Sequence, residues 1–275
     1  MKLYFIIATI EGREKLLNKL LNSIKIEFKS FNYKVVIIRQ YSVKKKILIK
    51  KNSILFNIKS YGASRARNIG LKKIKKDVKD NDYICFPDDD CYYAKNFQKE
   101  FLKNLEKSID LIFGDIRDPD DKLRMGTTVI NKKNLKLNFP SINCPSFFIR
   151  YKLIKNLFFD ENYGPGTLVP AVEETEFLYR ISKKHNRVNC KYDSNLKIFH
   201  PYKILNGQKL KDYSFAQGVF LRKIFNPILI QFWAYLIIIV RPFVGLISNQ
   251  LNTKNRKFYK VRSIGIIKGF LNGNT

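Results

Sequence analysis

Tyr83–Phe97 reads YICFPDDDCYYAKNF. With Asp82 in front, DYICFP has the apolar content of a buried strand that a proline stops. Three acids, Asp88, Asp89 and Asp90, stand just past its carboxyl end. Like charges ~4 Å apart repel by about 4 kcal/mol at an effective dielectric near 20, so something must offset the cost. Solvent at a loop tip and a bound cation both satisfy that demand. In an extended segment Asp88 and Asp90 point one way and Asp89 the other, because side chains alternate. That spacing suits two carboxylates sharing one hard divalent ion. An EF-hand is excluded, since Tyr93 stands where its glycine is needed and Lys99 where its glutamate belongs.

On either side of this stretch, strand and helix patterns alternate. Lys2–Thr9 is a continuous apolar run, as expected of a strand covered on both faces. Leu16, Leu17, Leu20, Leu21 and Ile24 recur at helical spacing. YKVVIIRQ (Tyr33–Gln40) and SILFNI (Ser53–Ile58) read as second and third buried strands, and ASRARNIGLKKIKK (Ala63–Lys76) as a helix opening near Ser64. The alternation predicts an α/β fold with a mostly parallel central sheet flanked by helices. Open sheets of that kind bind ligands beyond the carboxyl ends of their strands, where the three acids lie. Asp115–Asn138 is loop-rich. EETEFLYRISKKHN (Glu173–Asn186) reads as a helix behind the loop NYGPGTLVPAV, and two short strand-like runs follow, ending at LKIFHP with His200.

The 275 residues allow one large domain or one domain with an appended segment. Hydrophobic residues at 45% and charged residues at 27% are those of a folded chain. A net charge of +29 points to a polyanionic neighbour, or to compositional bias with much of the lysine simply solvated. No C-x-x-C pair joins Cys85, Cys91, Cys144 and Cys190, which argues against zinc. With no secretory signal, the four read as reduced thiols of a cytosolic protein.

Taken in order, ATIEGREKLLNKLLNSI, GASRARNIGL, FPDDDCYY, FFIRYKL, FFDENYGPG, VEETEFLYR and FHP span roughly the first 200 residues. This ordered set resembles the family 2 nucleotide-sugar glycosyltransferases of the GT-A fold, in particular a bacterial polysaccharide-assembly branch. FAQGVFLRKI, IVRPFVGLI and SIGIIKGFL in the tail are also similar to that branch. The resemblance implies a GT-A catalytic domain over residues 1–205 and a helical, basic and apolar extension over 206–275. It implies Asp88 and Asp90 as D-x-D acids, with His200 as a third ligand to Mn²⁺ or Mg²⁺. Thr9, Arg13, Arg67, Asn68, Asp88 and Asp89 fall at positions that hold the nucleotide-sugar. Glu173 and Glu174 fall at the family's Glu-Asp pair. Glu174, one methylene longer than the usual aspartate, is then the base, and Glu173 holds the acceptor or steadies the loop. Bland readings stand beside each: a satisfied histidine for His200, helix capping for Arg67 and Asn68, and dipole stabilisation worth ~0.3–1 kcal/mol for the glutamates. One departure concerns the base of the donor. The family places an aspartate that reads uracil after the second strand, and this chain has Arg39 and Gln40.

The apolar stretch Pro227–Val240, followed by Arg241 and Pro242, is short of the ~20 residues of a spanning helix. It reads instead as interfacial, with Trp233 and Tyr235 at the headgroup boundary and Lys254, Arg256, Lys257, Lys260, Arg262 and Lys268 facing anionic lipid. The alternative is a buried helix pair packed on the catalytic domain. The leading expectation is an inverting hexosyl- or N-acetylhexosaminyltransferase, peripheral on the cytoplasmic face of the membrane. It takes a nucleotide-sugar of the UDP class to a lipid-linked oligosaccharide in capsule or O-antigen synthesis. A nucleic-acid-binding role lacks any recognition signature, so no nucleic-acid partner is expected. A family-like fold without activity is the remaining rival, and it rests on the missing aspartate.

Overall fold

A computed structural model describes residues 1–40, 52–123, 133–201, 207–248 and 253–273. The first half is β1 (Leu3–Thr9), α1 (Glu14–Glu27), β2 (Tyr33–Gln40), β3 (Ser53–Ile58), α2 (Ala63–Ile74) and β4 (Tyr83–Cys85). β1 is parallel to β2 and to β4 on its two sides, and β3 adds in parallel outside β2. β1 is apolar throughout because each face meets its own core. Tyr4 and Ile6 enter one cluster, and Leu3, Phe5 and Ile7 the other.

The second half is β5 (Tyr92–Tyr93), α3 (Phe97–Asn104), β6 (Leu111–Arg117), α4 (Leu135–Asn138), β7 (Phe147–Arg150), α5 (Tyr151–Ile154), α6 (Glu173–Lys184) and β8 (Cys190–Phe199). All strands join one sheet in the order β3-β2-β1-β4-β7-β6-β8-β5. β7 runs antiparallel to β4 and β6, and β5 antiparallel to β8, so the sheet is mixed beyond β4. Only Phe86–Cys91 separates β4 from β5. That short link carries the chain from β4 to a strand that pairs with β8 at the other end of the sheet order.

β8 is one strand where two runs were expected. Its pairing with β6 jumps between Gly114, opposite Asp193, and Asp115, opposite Lys197. At the jump the backbones nearly touch: a Cβ on Gly114 would lie 2.0 Å from the Leu196 carbonyl oxygen. Glycine is therefore required there, and the bulge re-aims the end of β8. Beneath the sheet Phe5, Phe28, Tyr93, Phe97, Phe101 and Phe148 form a nested aromatic core. Each such ring, fully buried, contributes roughly 1.5–3 kcal/mol. The four cysteines are free and buried.

The tail is three helices, α7 (Gly207–Lys223), α8 (Ile230–Ser248) and α9 (Thr253–Asn272). α7 and α9 run parallel, since Ser214 meets Gly265, Phe215 meets Gly269 and Val219 meets Gly273. A Cβ on Gly218 or Gly269 would lie 2.0 Å from a carbonyl oxygen of the facing helix. The pair thus packs backbone on backbone. α8 is the return between them and turns one face inward. Phe232, Tyr235 and Ile239 join the same core cluster as Phe139, Tyr163 and Phe177. Tyr235 was expected at a headgroup boundary, but it is 2% exposed and donates its hydroxyl to the Gln217 carbonyl at 3.1 Å. Its ring fills a slot against Phe220, with centroids 4.9 Å apart, and the amphipathic residue serves the core. The other face of α8 carries Ile230, Trp233, Ile237, Val240, Val244 and Ile247, all exposed. By length and composition α8 could cross a membrane, although 39% of the stretch is buried against the protein. The expected boundary near residue 205 falls at 202–206, outside the described residues, as does the side chain of Lys254.

Candidate active site

The loop after β4 closes as a turn, with the Cys91 amide donating to the Asp88 carbonyl at 3.1 Å. The alternation expected of an extended segment is replaced by this turn, yet it sorts the three carboxylates the same way. Asp88 and Asp90 face His200, and Asp89 faces β1. β5 explains how His200 arrives. Tyr92 pairs with Phe199, so the antiparallel register puts His200 level with Cys91, one residue from Asp90. The His200 amide continues the ladder by donating to the Arg117 carbonyl at 2.8 Å. The imidazole Nε2 then stands 3.2 Å from Asp90 Oδ1 and 3.5 Å from Asp88 Oδ2.

One ligand atom from each of Asp88, Asp90 and His200 lies within 4.8 Å of the others. Donors at ~2.1 Å from a common ion sit about 3–4 Å apart, so small rotations bring this trio onto one ion. Two carboxylates and an imidazole are a donor set for a borderline-hard divalent metal. The site fits such an ion.

Two arginines offset the acids. Arg13 Nη2 lies 2.9 Å from Asp89 Oδ1 and 2.5 Å from Asp90 Oδ2, and its buried Nε has no partner among the described residues. Arg67, 4% exposed, reaches Asp88 with Nη2 and Glu173 with Nη1, both at 3.0 Å. Thr9 donates its hydroxyl to Asp89 Oδ2 at 2.7 Å. Burial opposes ionisation of Asp88 and Asp89, but the outcome differs with the partners. At Asp88, His200, Arg67 and Arg13 overcome burial and hold the carboxyl at about 2. At Asp89 burial, helped by Asp88 and Asp90, outweighs Arg13 and Thr9 and pushes the carboxyl up to about 6.

Arg67 connects these acids to the second cluster. α6 starts directly after Val172, whose φ of 62° is left-handed and unusual for a β-branched residue. Glu173 turns in toward Arg67, while Glu174 is half-buried. Burial and the neighbouring Glu173 raise the Glu174 carboxyl well above the ordinary range, against Arg67 and a backbone hydrogen bond that lower it. Glu176 turns away, into Arg180 at 2.7 Å and Lys223 of α7 at 3.1 Å.

Asn68 does not turn to the acids. Its amide group donates to the Phe159 carbonyl and to Glu161, and its oxygen accepts from the Phe159 amide at 2.8 Å. All its described bonds hold the loop that leads to α6. Ser64 does likewise, donating to the Tyr163 carbonyl at 2.6 Å from a fully buried position. Its place at a helix start looked like capping, and nothing in the sequence signalled a partner 99 residues on. Gly164 completes the loop, since a Cβ there would stand 3.2 Å from Glu173 Cδ. Arg39 lies in register with Thr9 and Asn57, and its Nε donates to Asn57 Oδ1 at 2.8 Å. Asn57 was not singled out from the sequence, because its position in the row depends on pairing between strands. Gln40 Oε1 is buried without a partner among the described residues.

No curated protein matches the sequence. Solved structures do match in fold. Residues 1–349 of TarS from S. aureus superpose with a TM-score of 0.62 at 16% identity, over 98% of this chain and 81% of that one. A longer S. aureus TarS structure gives 0.63 at 16% identity, over 98% of this chain and 54% of that one. The mannosyltransferase PcManGT from Pyrobaculum calidifontis, solved with GDP-Man and Mn²⁺, gives 0.62 at 9% identity, over 99% of this chain and 88% of that one. These likenesses establish the GT-A architecture. The family model for glycosyl transferase family 2 matches residues 5–160, more than half of the chain and the whole segment from β1 to the loop before α6. The chain therefore belongs to the family 2 glycosyltransferases.

Proposed function

We propose that this chain is an inverting, metal-dependent glycosyltransferase that moves a hexosyl or N-acetylhexosaminyl group from a nucleotide-sugar of the UDP class to a lipid-linked saccharide. It would act in surface-polysaccharide assembly, at the cytoplasmic face of a membrane. One observation carries the reading: Arg67 joins Asp88 of the Asp-Asp-His cluster to Glu173 beside Glu174, through two 3.0 Å contacts. A donor-side cluster and an acceptor-side carboxylate are thereby held at a fixed separation.

Asp88, Asp90 and His200 would hold the ion, Mn²⁺ suiting the imidazole better than Mg²⁺. When bound, it supplies positive charge to the departing diphosphate as a Lewis acid. Arg13, with its spare Nε, binds phosphate oxygens, and Thr9 and Asp89 fix Arg13 beside them. Asn68 serves donor binding through the loop it holds. The acceptor hydroxyl attacks the anomeric carbon from the face opposite the diphosphate. Its proton passes to the Glu174 carboxylate, the carbon–oxygen bond to the diphosphate breaks, and the bonding pair leaves with the diphosphate. One displacement inverts the anomeric configuration. The exposed stripe of α8 and the basic residues of α9 suit an anionic membrane surface.

The test is titration of nucleoside diphosphates with and without Mn²⁺, followed by a screen of nucleotide-sugars for metal-dependent hydrolysis. Asp90→Ala should abolish the metal-dependent component and leave the fold intact, since it removes one of three crowded acids. Unchanged Mn²⁺-dependent binding in that variant would refute the assignment.

A further inference from the structure

The tail and the loop before α6 enclose a groove of about 680 Å³. Its floor is Phe215 of α7 with Val261 and Ile264 of α9, and its outer wall is the loop at Thr167 and Leu168. Two ammonium groups, Lys211 and Lys268, stand on the rim with one acid, Asp212. Neither lysine has an ion-pair partner among the described residues, while Asp212 accepts from Gln208 at 2.7 Å. The groove therefore has an apolar floor and, among the described residues, an edge with two cations against one anion. Its shape and charge complement an amphiphile that carries an anion between a polar head and an apolar chain.

Position says which amphiphile. Gly164 packs against Glu173, and Thr167 lies three residues further along the same loop. Three residues reach at most ~11 Å, so the groove opens within a short saccharide's length of the acceptor-side carboxylates. Thr167 and Leu168 also line a second, smaller cavity with Tyr61 and Arg65 at the start of α2, so the groove adjoins the catalytic half across this loop. At its far side the exposed Ile267 and Leu271 of α9 continue the apolar surface. Leu168, 87% exposed on the shared wall, is an apolar side chain without cover.

We propose that this groove is the seat of the acceptor's lipid anchor, with the phosphate between Lys211 and Lys268 and the first units of the chain over Phe215, Val261 and Ile264. This rests on the transferase reading above, and it adds the place where the lipid-linked acceptor is gripped. The saccharide then extends past Leu168 toward Glu173 and Glu174.

The test uses the full chain and dodecyl phosphate below its micellar concentration, titrated by calorimetry. Inorganic phosphate and dodecyl maltoside serve as controls for charge alone and chain alone. Dodecyl phosphate should bind more tightly than either control. Lys211→Glu with Lys268→Glu should weaken it about tenfold or more, because two charge-assisted contacts are lost. Ile264→Trp, at a 43% exposed position, should weaken it too by filling the floor. A control pair on the opposite side of the protein, Lys25→Glu with Lys99→Glu, should change little. Equal losses from both pairs, or no loss from either groove variant, would overturn the proposal. So would a parallel loss of the groove variants' binding to phosphatidylcholine–phosphatidylglycerol vesicles, which would make the groove a general lipid contact. Mn²⁺-dependent nucleotide binding should be unchanged in every groove variant. Its absence from the unmodified protein would count against the transferase reading and leave the dodecyl phosphate result to be judged separately.

Discussion

Glu174 is the residue on which the proposed chemistry turns. Its carboxyl is raised by burial and by Glu173, so the folded protein holds that proton more tightly than the unfolded chain does. The sign follows. Stability is lost as pH rises past the ordinary glutamate value near ~4.3, and the loss is complete above the raised folded value. Glu174→Gln should therefore melt higher than the unmodified protein at neutral pH. The same variant should keep its donor affinity while turnover falls by ~10²-fold or more. The acidic limb of kcat/KM, which reports the base losing its proton, should lie above the usual carboxylate range and vanish in the variant. Normal turnover in Glu174→Gln would exclude it as the base and leave Glu173 to be tested. At this scale residue type and spacing singled out Asp88 and Asp90, whereas His200 was joined to them only through the resemblance, and the structure groups the three. The sequence was opaque where direction decides. Asn68 matched a pocket position, but its bonds to the loop at Phe159 were not foreseen, because nothing in a residue's type says which way its amide points.

Among the elements, β2 runs buried as its apolar pattern predicted, whereas β3, expected to be buried too, is the edge of the sheet and has no fully buried residue, because strand order and not apolar content sets cover. β5 was not legible. Two residues have no period to detect, and their place is set by β8, about a hundred residues later. β8 itself read as two runs because residues 194–196 bulge against Gly114. The start of α6 shows a local choice that propensity opposes. Val172 sits in the left-handed region at roughly 1–2 kcal/mol, and a glycine would relieve that while losing ~0.5–1 kcal/mol of chain entropy. Val172→Gly also removes a half-buried side chain packed on the core, so the terms roughly cancel and stability in urea denaturation should stay within about 1 kcal/mol. The substitution should lower turnover, because the turn that aims Glu173 and Glu174 loses its stiffness. A destabilised variant with normal turnover would show that Val172 matters only for packing.

Across the whole molecule, the tail is bound to the catalytic segment by a shared core and by Lys223, which pairs with Asp160 and Glu176. Deleting everything after Ile224 would remove Phe232, Tyr235 and Ile239 from that core, so a truncated chain cannot separate membrane attachment from folding. The outward stripe can. Ile237→Glu with Val244→Glu alters two exposed positions, 53% and 56% accessible, and should release the protein from anionic liposomes. Melting temperature and nucleotide affinity should stay within experimental error. Equal liposome binding by this variant would place the membrane contact elsewhere. Composition had favoured an interfacial helix over a spanning one, with a buried helix pair as the alternative. Which of its faces is spent on the core became visible only with Phe139 and Phe220 in place around Tyr235.

The parallel pairing of α7 with α9 has a consequence in time. Phe215 faces Gly269, so the partner of α7 leaves the ribosome 54 residues later, roughly 3–11 s at usual synthesis rates. During that interval the inner face of α8 can already meet Phe139 and Phe220, while its outward stripe and its seat for α9 at Gly245 stay uncovered. Whatever surface lies beside the ribosome, lipid or chaperone, can meet that stripe before α9 completes the bundle.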